Sequence, residues 1–446
     1  MSQSIENFVA QAMDDAKLTS FHWRVITLIS AGLFLDLLDI AVFGSIVPDM
    51  VRSHFATPAE IAIIVLSLFA GLFVGSIGQG EFTDRFGRKA VYQTNLLLFG
   101  VATLASAFSP NYVVFAILRF IAGIGLGAEA PLCFAYAAEF SPKRVRGRLM
   151  ALNHFIGGAC SWPIAILFVL LVREEIGWRG IFACIGVLAL IVFILRFSLP
   201  ESPRWLVTHG KYEKALDILA RMKIPGPTPG QEFSTGEKTI YYRDPIAVIF
   251  KENLRSIVFA MIAFFAIYGV VYVLATWLPS MMAGRGFTIT KALTFTFGMT
   301  LSFPLSSGFL MFALDRYGRR VVSVTGLLSS AILAILFWQS TSEVMLLITG
   351  FLMFFAMQTG TNAMVLYTSE IFPTNARASG MGIALGVSKI SAALSGYGIL
   401  LIAAYGDAIV FEVMAALLVI GAASVLLMGR ETRGVALDAI APPSGG

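Results

Sequence analysis

Near residue 84 the chain reads Asp84-Arg85-Phe86-Gly87-Arg88-Lys89, and near residue 315 it reads Asp315-Arg316-Tyr317-Gly318-Arg319-Arg320. A second stretch, Glu139-Phe140-Ser141-Pro142, returns as Glu370-Ile371-Phe372-Pro373. Both pairs are separated by the same offset of 231 residues (315 − 84 and 370 − 139). Because two motifs recur in register, the chain consists of two repeats that share one ancestral pattern.

The composition between and around these motifs excludes a soluble protein. Hydrophobic residues make up 57% of the 446 residues and charged residues only 13%, whereas soluble domains have about 25% charged residues. That is too little polar surface to cover two or three soluble domains, so the chain is predicted to lie in a bilayer.

Apolar stretches of about 20 residues cross a hydrocarbon core about 30 Å thick. Twelve such spans are predicted, at 23–50, 59–80, 90–108, 112–139, 149–172, 177–199, 256–283, 290–313, 321–338, 343–371, 378–404 and 407–428. The predicted organisation is an N-terminal segment (1–22), a six-helix bundle (23–199), a linker with short helices (200–255), a second six-helix bundle (256–428) and a tail (429–446). In the linker a helical stretch is predicted to about residue 223, and a second short helix from Asp244-Pro245.

The distribution of lysine and arginine predicts the orientation of the spans. Basic residues crowd the hydrophilic segments on the side of the two termini. The other side carries only Arg52, Arg173, Arg179, Arg285 and Lys291. Positive residues concentrate in the cytoplasm, so both termini and the linker are predicted to be cytoplasmic. The basic charge is divided among short loops and does not indicate a nucleic-acid partner.

Taken together, these motifs resemble the sugar-porter-like branch of the major facilitator superfamily. The resemblance rests on the paired loops, on Pro200-Glu201-Ser202-Pro203-Arg204-Trp205-Leu206 and on Gly429-Arg430-Glu431-Thr432-Arg433-Gly434. It implies an all-α fold of twelve transmembrane helices in two pseudo-symmetric six-helix bundles, with the substrate path between them.

Within that branch the chain resembles bacterial niacin transporters and aromatic-acid/proton symporters. Three stretches carry this likeness: Asp36-Leu37-Leu38-Asp39, Gly125-Leu126-Gly127-Ala128-Glu129-Ala130-Pro131 and Trp277-Leu278-Pro279. The glutamine pair of sugar porters is missing from the seventh span, which disfavours a sugar substrate. Leu37 stands where aromatic-acid members have glycine, and Lys389 where niacin-like members have arginine, so the exact substrate stays open.

Charged residues inside the spans are the candidate coupling residues, because each costs at least about 2.5 kcal/mol at the centre of a helix. Asp36 and Asp39 share one face of the first span, and Arg119 of the fourth span falls at a depth similar to that of Asp39. The resemblance implies that Asp39 and Arg119 form a proton switch; the alternative is a permanent ion pair between two helices. Glu129 is a candidate for a second protonation site, or for a partner of His154 or Lys389.

Lys389 is the candidate substrate-binding cation. It lies eleven residues into its span, roughly 16 Å along the helix and therefore near the midplane. Its equivalent in the other repeat is Gly158 (389 − 231), so the shared scaffold does not require a charge there. An ammonium at that depth favours an anionic substrate, and the alternative is an ion pair with Asp36 or Glu129. Aromatic and amide side chains are predicted to line the same cavity: Tyr136, Tyr268, Tyr272, Trp277, Gln358 and Asn362.

The repeated loops are predicted to act in gating. Their acidic and basic side chains are expected to form ion-pair networks at the cytoplasmic face that break as the two halves rock. The residues concerned are Asp84, Arg85, Arg88, Glu139, Arg146, Asp315, Arg316, Arg319, Glu370 and Arg377.

The sequence therefore predicts a secondary transporter of the bacterial inner membrane, acting as a monomer among membrane lipids. Its predicted activity is proton-coupled uptake of a small organic anion, such as nicotinate or another aromatic carboxylate. No enzymatic constellation, cofactor motif or metal site is predicted. The alternatives are a carrier of an organic cation or a sugar-like solute and, from another class, a nutrient sensor that does not transport.

Overall fold

The computed structural model describes residues 5–127, 129–226, 246–372, 377–429 and 431, and all side chains of these except those of 77–81, 84, 246–253, 315 and 377–379. The described residues form helices joined by short turns and loops, with no strand among them. Its helices are α1 (Ile5–Asp14), α2 (Ser20–Arg52), α3 (Pro58–Phe86), α4 (Arg88–Ser106), α5 (Tyr112–Leu126), α6 (Glu129–Phe140), α7 (Arg146–His154), α8 (Ser161–Arg196), α9 (Pro203–Thr208), α10 (Tyr212–Arg221), α11 (Ile246–Gly284), α12 (Ile289–Thr300), α13 (Ser302–Tyr317), α14 (Arg319–Gln339), α15 (Glu343–Ile371), α16 (Arg377–Ala403) and α17 (Asp407–Met428). A π-helical turn, Phe155–Ala159, lies between α7 and α8.

Ten helical segments of the described chain are long and apolar enough to cross a membrane. One of them, Arg146–Arg196, is 51 residues long and folds back at Gly177, where φ is 63°. Both of its ends reach the same level of α2, since Asn153 accepts a hydrogen bond from Ser30 (2.7 Å) and Arg196 donates to the Leu28 carbonyl oxygen (3.1 Å). This segment therefore supplies the fifth and sixth spans, and α4, packed against the fourth and sixth, completes the twelve.

The linker differs from its prediction at its second helix. The helix that supplies the seventh span begins at Ile246 and continues without a break to Gly284, so the separate short helix is wrong. Asp244 and Pro245 themselves lie outside the described residues. The first predicted helical stretch is present as two helices, α9 and α10, which pack with α1.

The repeated motif forms the same sharp corner in each half. Gly87 and Gly318 have φ values of 93° and 88°, which favour glycine, and each is followed at once by a new helix. A glutamate caps each new helix: Glu201 accepts from the backbone N–H of Arg88 (3.1 Å), and Glu431 accepts from that of Arg319 (3.0 Å). Such acids satisfy backbone donors that have no partner within the helix.

The face with α1, α9 and α10 is called the terminal face, and the other the opposite face. The two halves meet closely toward the opposite face. There the backbone of Gly44 in the first span approaches the Ala275 carbonyl of the seventh so closely that a Cβ on Gly44 would lie 1.9 Å from that oxygen. The rings of Phe69 and Tyr272 also meet across the halves, with centroids 4.4 Å apart. The opposite face is therefore closed.

Prolines shape this crossing of the first and seventh spans. Pro48 and Pro279 lie inside their helices at equivalent positions of the repeat (279 − 48 is again 231). Proline has no N–H group, so each leaves the carbonyl four residues earlier without its helical hydrogen bond. Those carbonyls belong to Gly44 and Ala275, the two residues at the crossing.

Candidate functional site

A buried ion pair joins the first and fourth spans. Arg119 donates from Nη1 to both carboxylate oxygens of Asp39, at 3.0 and 2.8 Å, and from Nη2 to the Thr103 hydroxyl at 2.7 Å. Both charged side chains are 0% exposed, and the guanidinium lies 4.8 Å from the centre of the Phe182 ring. The contact between Asp39 and Arg119 expected from their matching depths is present. Their role in proton coupling stays a prediction.

Asp36 lies one turn along the same face of the first span and has a different environment. It is 5% exposed, and its Oδ1 atom is buried without a hydrogen-bond partner in the described part of the chain. Such an atom forgoes hydrogen bonds that water would supply, at a cost of about 1–3 kcal/mol. Asp36 is thus ready to accept a proton, a cation or a ligand donor.

Lys389 and a pair of tyrosines lie beside Asp36. The Ser391 hydroxyl donates to the Phe265 carbonyl oxygen (2.5 Å), which holds this part of the eleventh span against the seventh. Lys389 interacts electrostatically with Asp36 and with Tyr268. Among the described residues it forms no ion pair with an acid, unlike Arg119 and Arg196. Lys389 is half-buried, and its interactions with Asp36 and Tyr268 bring its ammonium toward the first and seventh spans.

The tyrosines connect the cation to the acid. The ring centroids of Tyr268 and Tyr272 are 6.0 Å apart, and Tyr272 also interacts electrostatically with Asp36. Side chains from the first, seventh and eleventh spans therefore come together here, and their role in substrate binding stays a prediction. They supply one negative charge, one positive charge and two aromatic rings.

Two further predicted lining residues carry polar atoms that are buried without a partner among the residues that the structure describes. These atoms are the indole Nε1 of Trp277, whose side chain is 6% exposed, and the amide Nδ2 of Asn362. Gln358 and Asn362 are both half-buried and lie one turn apart on the tenth span. Each orphan donor can serve an oxygen of a bound ligand.

Tyr136 does not belong to this cavity, and its predicted lining role is wrong. Its side chain is 0% exposed and its hydroxyl donates to the Pro200 carbonyl oxygen at 2.8 Å. Its ring stacks between those of Tyr92 and Phe140, in the cluster beneath α9. Hydropathy places a tyrosine in a span but does not tell which side of the helix it occupies.

Glu129 has a partner that the sequence did not suggest. Its Oε1 accepts from Arg196 Nη2 at 2.5 Å, and the two side chains are 3% and 0% exposed. Arg196 also donates to the Tyr92 hydroxyl (3.0 Å) and lies over that ring. The expectation of His154 or Lys389 as the partner is therefore wrong. Arg196 lies in the last turn of its helix, where it looked like an ordinary flanking charge.

Room for this pair depends on Gly32. A Cβ on Gly32 would lie 1.5 Å from Arg196 Nη2 and 1.8 Å from Glu129 Oε1. We expect Gly32→Ala to lower the thermal-melt midpoint of the purified protein, because overpacking costs about 1–3 kcal/mol or more and here also separates two buried charges. The matched control is Gly398→Ala, since a Cβ there meets nothing within 4 Å. Equal melting midpoints for the two variants would show that the Glu129–Arg196 pair shifts to make room at little cost in stability.

Among the described side chains, the repeated loops form equivalent ion pairs in the two halves. Arg88 Nη2 lies 2.7 Å from Glu139, and Arg319 Nε lies 3.1 Å from Glu370. Each pair joins residues of a single half.

The other predicted gating residues differ. Arg146 contacts Asp14 of α1 at 2.5 Å, a residue outside the predicted set. Arg85 and Arg316 are exposed and lie over neighbouring aromatic rings. Asp84, Asp315 and Arg377 fall outside the described side chains. Gating stays a prediction for the whole set.

The two capping acids do not belong to the set of residues predicted for gating. Glu201 and Glu431 are 230 residues apart, one residue short of the repeat offset. This near-match in spacing was the available signal.

Comparison with known proteins shows the family. The family described as sugar (and other) transporter matches residues 25–442. The niacin transporter NiaP of Acinetobacter baylyi is 28% identical over 96% of this chain and 98% of its own length. The 4-hydroxybenzoate transporter PcaK of Pseudomonas aeruginosa is 30% identical over 88% of this chain and 89% of its own.

Among solved structures, the xylose transporter XylE from Escherichia coli in a partially occluded inward-open conformation is similar, with a TM-score of 0.74 at 21% identity. It covers 94% of this chain and 100% of its own. The likeness confirms the twelve-helix fold. The family and these relatives are transporters and not enzymes. The chain therefore belongs to the family of sugar and other transporters, within the major facilitator superfamily, and carries a small molecule across a membrane that it spans repeatedly.

Proposed function

We propose that this protein takes up a small organic anion together with protons, by alternating access across the bacterial inner membrane. The proposal rests on Lys389. This cation lies in mid-span near Asp36, and none of the ion pairs among the described residues joins it to an acid. A buried cation in a span is costly unless something compensates it, and such residues commonly mark a substrate path. In a carrier, a substrate carboxylate can compensate the charge of Lys389, because the substrate binds and is released in each transport cycle.

The surroundings of Lys389 favour a flat, aromatic anion. Tyr268 and Tyr272 present rings that can pack on a planar substrate. Trp277 and Asn362 carry free donors for its oxygens, and Gln358 lies on the same helix face as Asn362. Relatives named for niacin and for 4-hydroxybenzoate carry molecules with one ring and one carboxylate, so nicotinate or a similar acid is the proposed substrate.

Coupling is assigned to the acids and arginine buried in the first and fourth spans: Asp36, Asp39, Arg119 and Glu129. Protonation of such a carboxylate changes its attraction to a nearby cation and so changes the balance between conformations.

The conformation fits a carrier that has turned toward the cytoplasm. The closed opposite face is the one predicted to be extracellular, from the scarcity of basic residues in its loops. Both termini are accordingly proposed to be cytoplasmic, and the chain to work as a monomer with its own path between the halves.

The test is a set of binding isotherms for nicotinate and 4-hydroxybenzoate, with nicotinamide as the uncharged analogue. We expect Lys389→Ala to weaken acid binding by about 30-fold or more, since loss of a buried charge partner costs about 2 kcal/mol or more. Lys389→Arg should retain part of the affinity because the charge survives, although its geometry differs. Nicotinamide should bind the wild type poorly and lose little in Lys389→Ala.

An organic cation is the competing substrate, because the partnerless oxygen of Asp36 could receive one. In that case Lys389→Ala would bind the acids as weakly as wild type, and cationic analogues would bind both proteins. Unchanged acid affinity in Lys389→Ala would remove the basis of the anion proposal.

A further inference from the structure

Three carboxylates lie along the path between the first and fourth spans, and their ionic partners differ. Asp39 is held by both oxygens to Arg119, and Glu129 is held to Arg196 at 2.5 Å. Among the described side chains Asp36 has no arginine partner, and its buried Oδ1 makes no hydrogen bond to them. Asp36 is the one acid of the three whose negative charge is not matched by direct contact.

This difference decides which acid can take up a proton at low cost. Protonating Asp39 or Glu129 would leave Arg119 or Arg196 buried without its counter-charge. Removal of one partner from a buried pair typically costs about 3–5 kcal/mol. Protonating Asp36 breaks no ion pair and removes an unmatched charge from a buried place, so the proton is held there more favourably.

The charge of Asp36 is compensated only at a distance. The titratable and charged groups that interact electrostatically with it are Asp39 on its own helix, Glu129, Tyr272 and Lys389. Arg196 and His154 lie on other helices that pack against the first span. Two of these groups are acids already paired with arginine. Lys389 is therefore the cation that stabilises ionised Asp36, and the same ammonium is the proposed substrate site.

We propose that Asp36, and not Asp39, is the residue that takes up the coupled proton, and that the substrate anion drives this uptake by engaging Lys389. An anion on Lys389 withdraws the compensating charge from Asp36, which then accepts a proton from water at the open face. By linkage the protonated state binds the anion more tightly in return. Anion and proton therefore bind together and leave together. This inference rests on the proposed function, because it needs an anion at Lys389.

The two arginine pairs then have a different task. Because Arg119 and Arg196 keep their acids ionised, the pairs fix the helices around Asp36 and hold two negative charges near it. Those charges disfavour ionised Asp36 once Lys389 is occupied, which strengthens the coupling between anion binding and proton uptake.

The test measures proton uptake when nicotinate binds to the purified, full-length protein. Calorimetry in buffers of different ionisation enthalpy gives the number of protons taken up per ligand. For the wild type we expect about one proton, with affinity falling about tenfold per pH unit on the alkaline side. In Asp36→Asn, which carries a permanently uncharged side chain, uptake should fall to zero and binding should become independent of pH. Asp39→Asn should still take up a proton.

Melting midpoints guard against a mere folding defect. Asp36→Asn removes an unmatched buried charge, so its midpoint should equal or exceed that of the wild type, whereas Asp39→Asn should melt lower. Undiminished proton uptake in Asp36→Asn, or uptake lost in a folded Asp39→Asn but kept in Asp36→Asn, would overturn the assignment. A wild type that binds nicotinate without any proton uptake would also overturn it, while leaving anion binding intact. A wild type that binds neither nicotinate nor 4-hydroxybenzoate would refute the proposed function itself.

Discussion

Replacing Gly44 by valine is expected to lower the transport rate by about 100-fold while ligand binding is largely retained. A Cβ at this position would lie 1.9 Å from the Ala275 carbonyl oxygen, and the obstacle is helix backbone that cannot rotate away. The first and seventh spans then cannot close the opposite face. A penalty of about 3 kcal/mol on the closed state, the upper part of the usual range for overpacking, reduces its population by about that factor.

Uptake into proteoliposomes and the distance between spin labels at residues 174 and 291 would check this result. Glu174 and Lys291 stand on different halves at the opposite face, where Thr290 contacts both Arg173 and Glu174. The label distance should lengthen in Gly44→Val and stay short in Gly398→Val, whose added side chain meets no neighbour near its Cβ. Wild-type uptake with an unchanged label distance would show that the crossing does not gate the path.

The second large effect is expected at Arg119. In Arg119→Leu the carboxylate of Asp39 stays buried without its cation, and the expected loss of stability is about 3–5 kcal/mol. Little folded protein should then be recovered from membranes. The double variant Asp39→Asn with Arg119→Leu contains no unmatched charge and should regain much of the loss.

Thermal melts of the two single variants and the double variant form a double-mutant cycle that isolates the pair. A strongly positive coupling free energy is the expected outcome. If the two substitutions changed the free energy of unfolding additively, the double variant would be no more stable than Arg119→Leu alone. That result would show that Asp39 and Arg119 do not stabilise each other.

The sequence predicted well those features that depend on position along a helix. Hydropathy located the twelve spans, and the antiparallel course of the first and fourth spans placed Asp39 level with Arg119. Counting residues also predicts a depth near the midplane for Lys389, which stays a prediction. Depth follows from the rise per residue and needs no tertiary information.

Features that depend on rotation about a helix axis were predicted less well. Tyr136 turned out to face the Pro200 carbonyl, and Glu129 the guanidinium of Arg196. Which side a residue faces is set by how spans pack, and nearly all sides of these helices are apolar, so periodicity gives little guidance. Arg146 shows a related limit: its partner, Asp14, lies on a helix that docks from outside the repeats.

The capping glutamates suggest how the chain arose. Glu201 follows the sixth span and Glu431 the twelfth, and each reaches back to the corner glycine of its own half. In an ancestral six-helix protein, a single glutamate in the tail would have capped the helix after the corner glycine in the same way. After gene duplication and fusion, the first copy of the tail became the beginning of the linker, and the second copy remained a tail. The connection between the halves is on this view an inherited terminus, retained because the fold of each half had already come to depend on it.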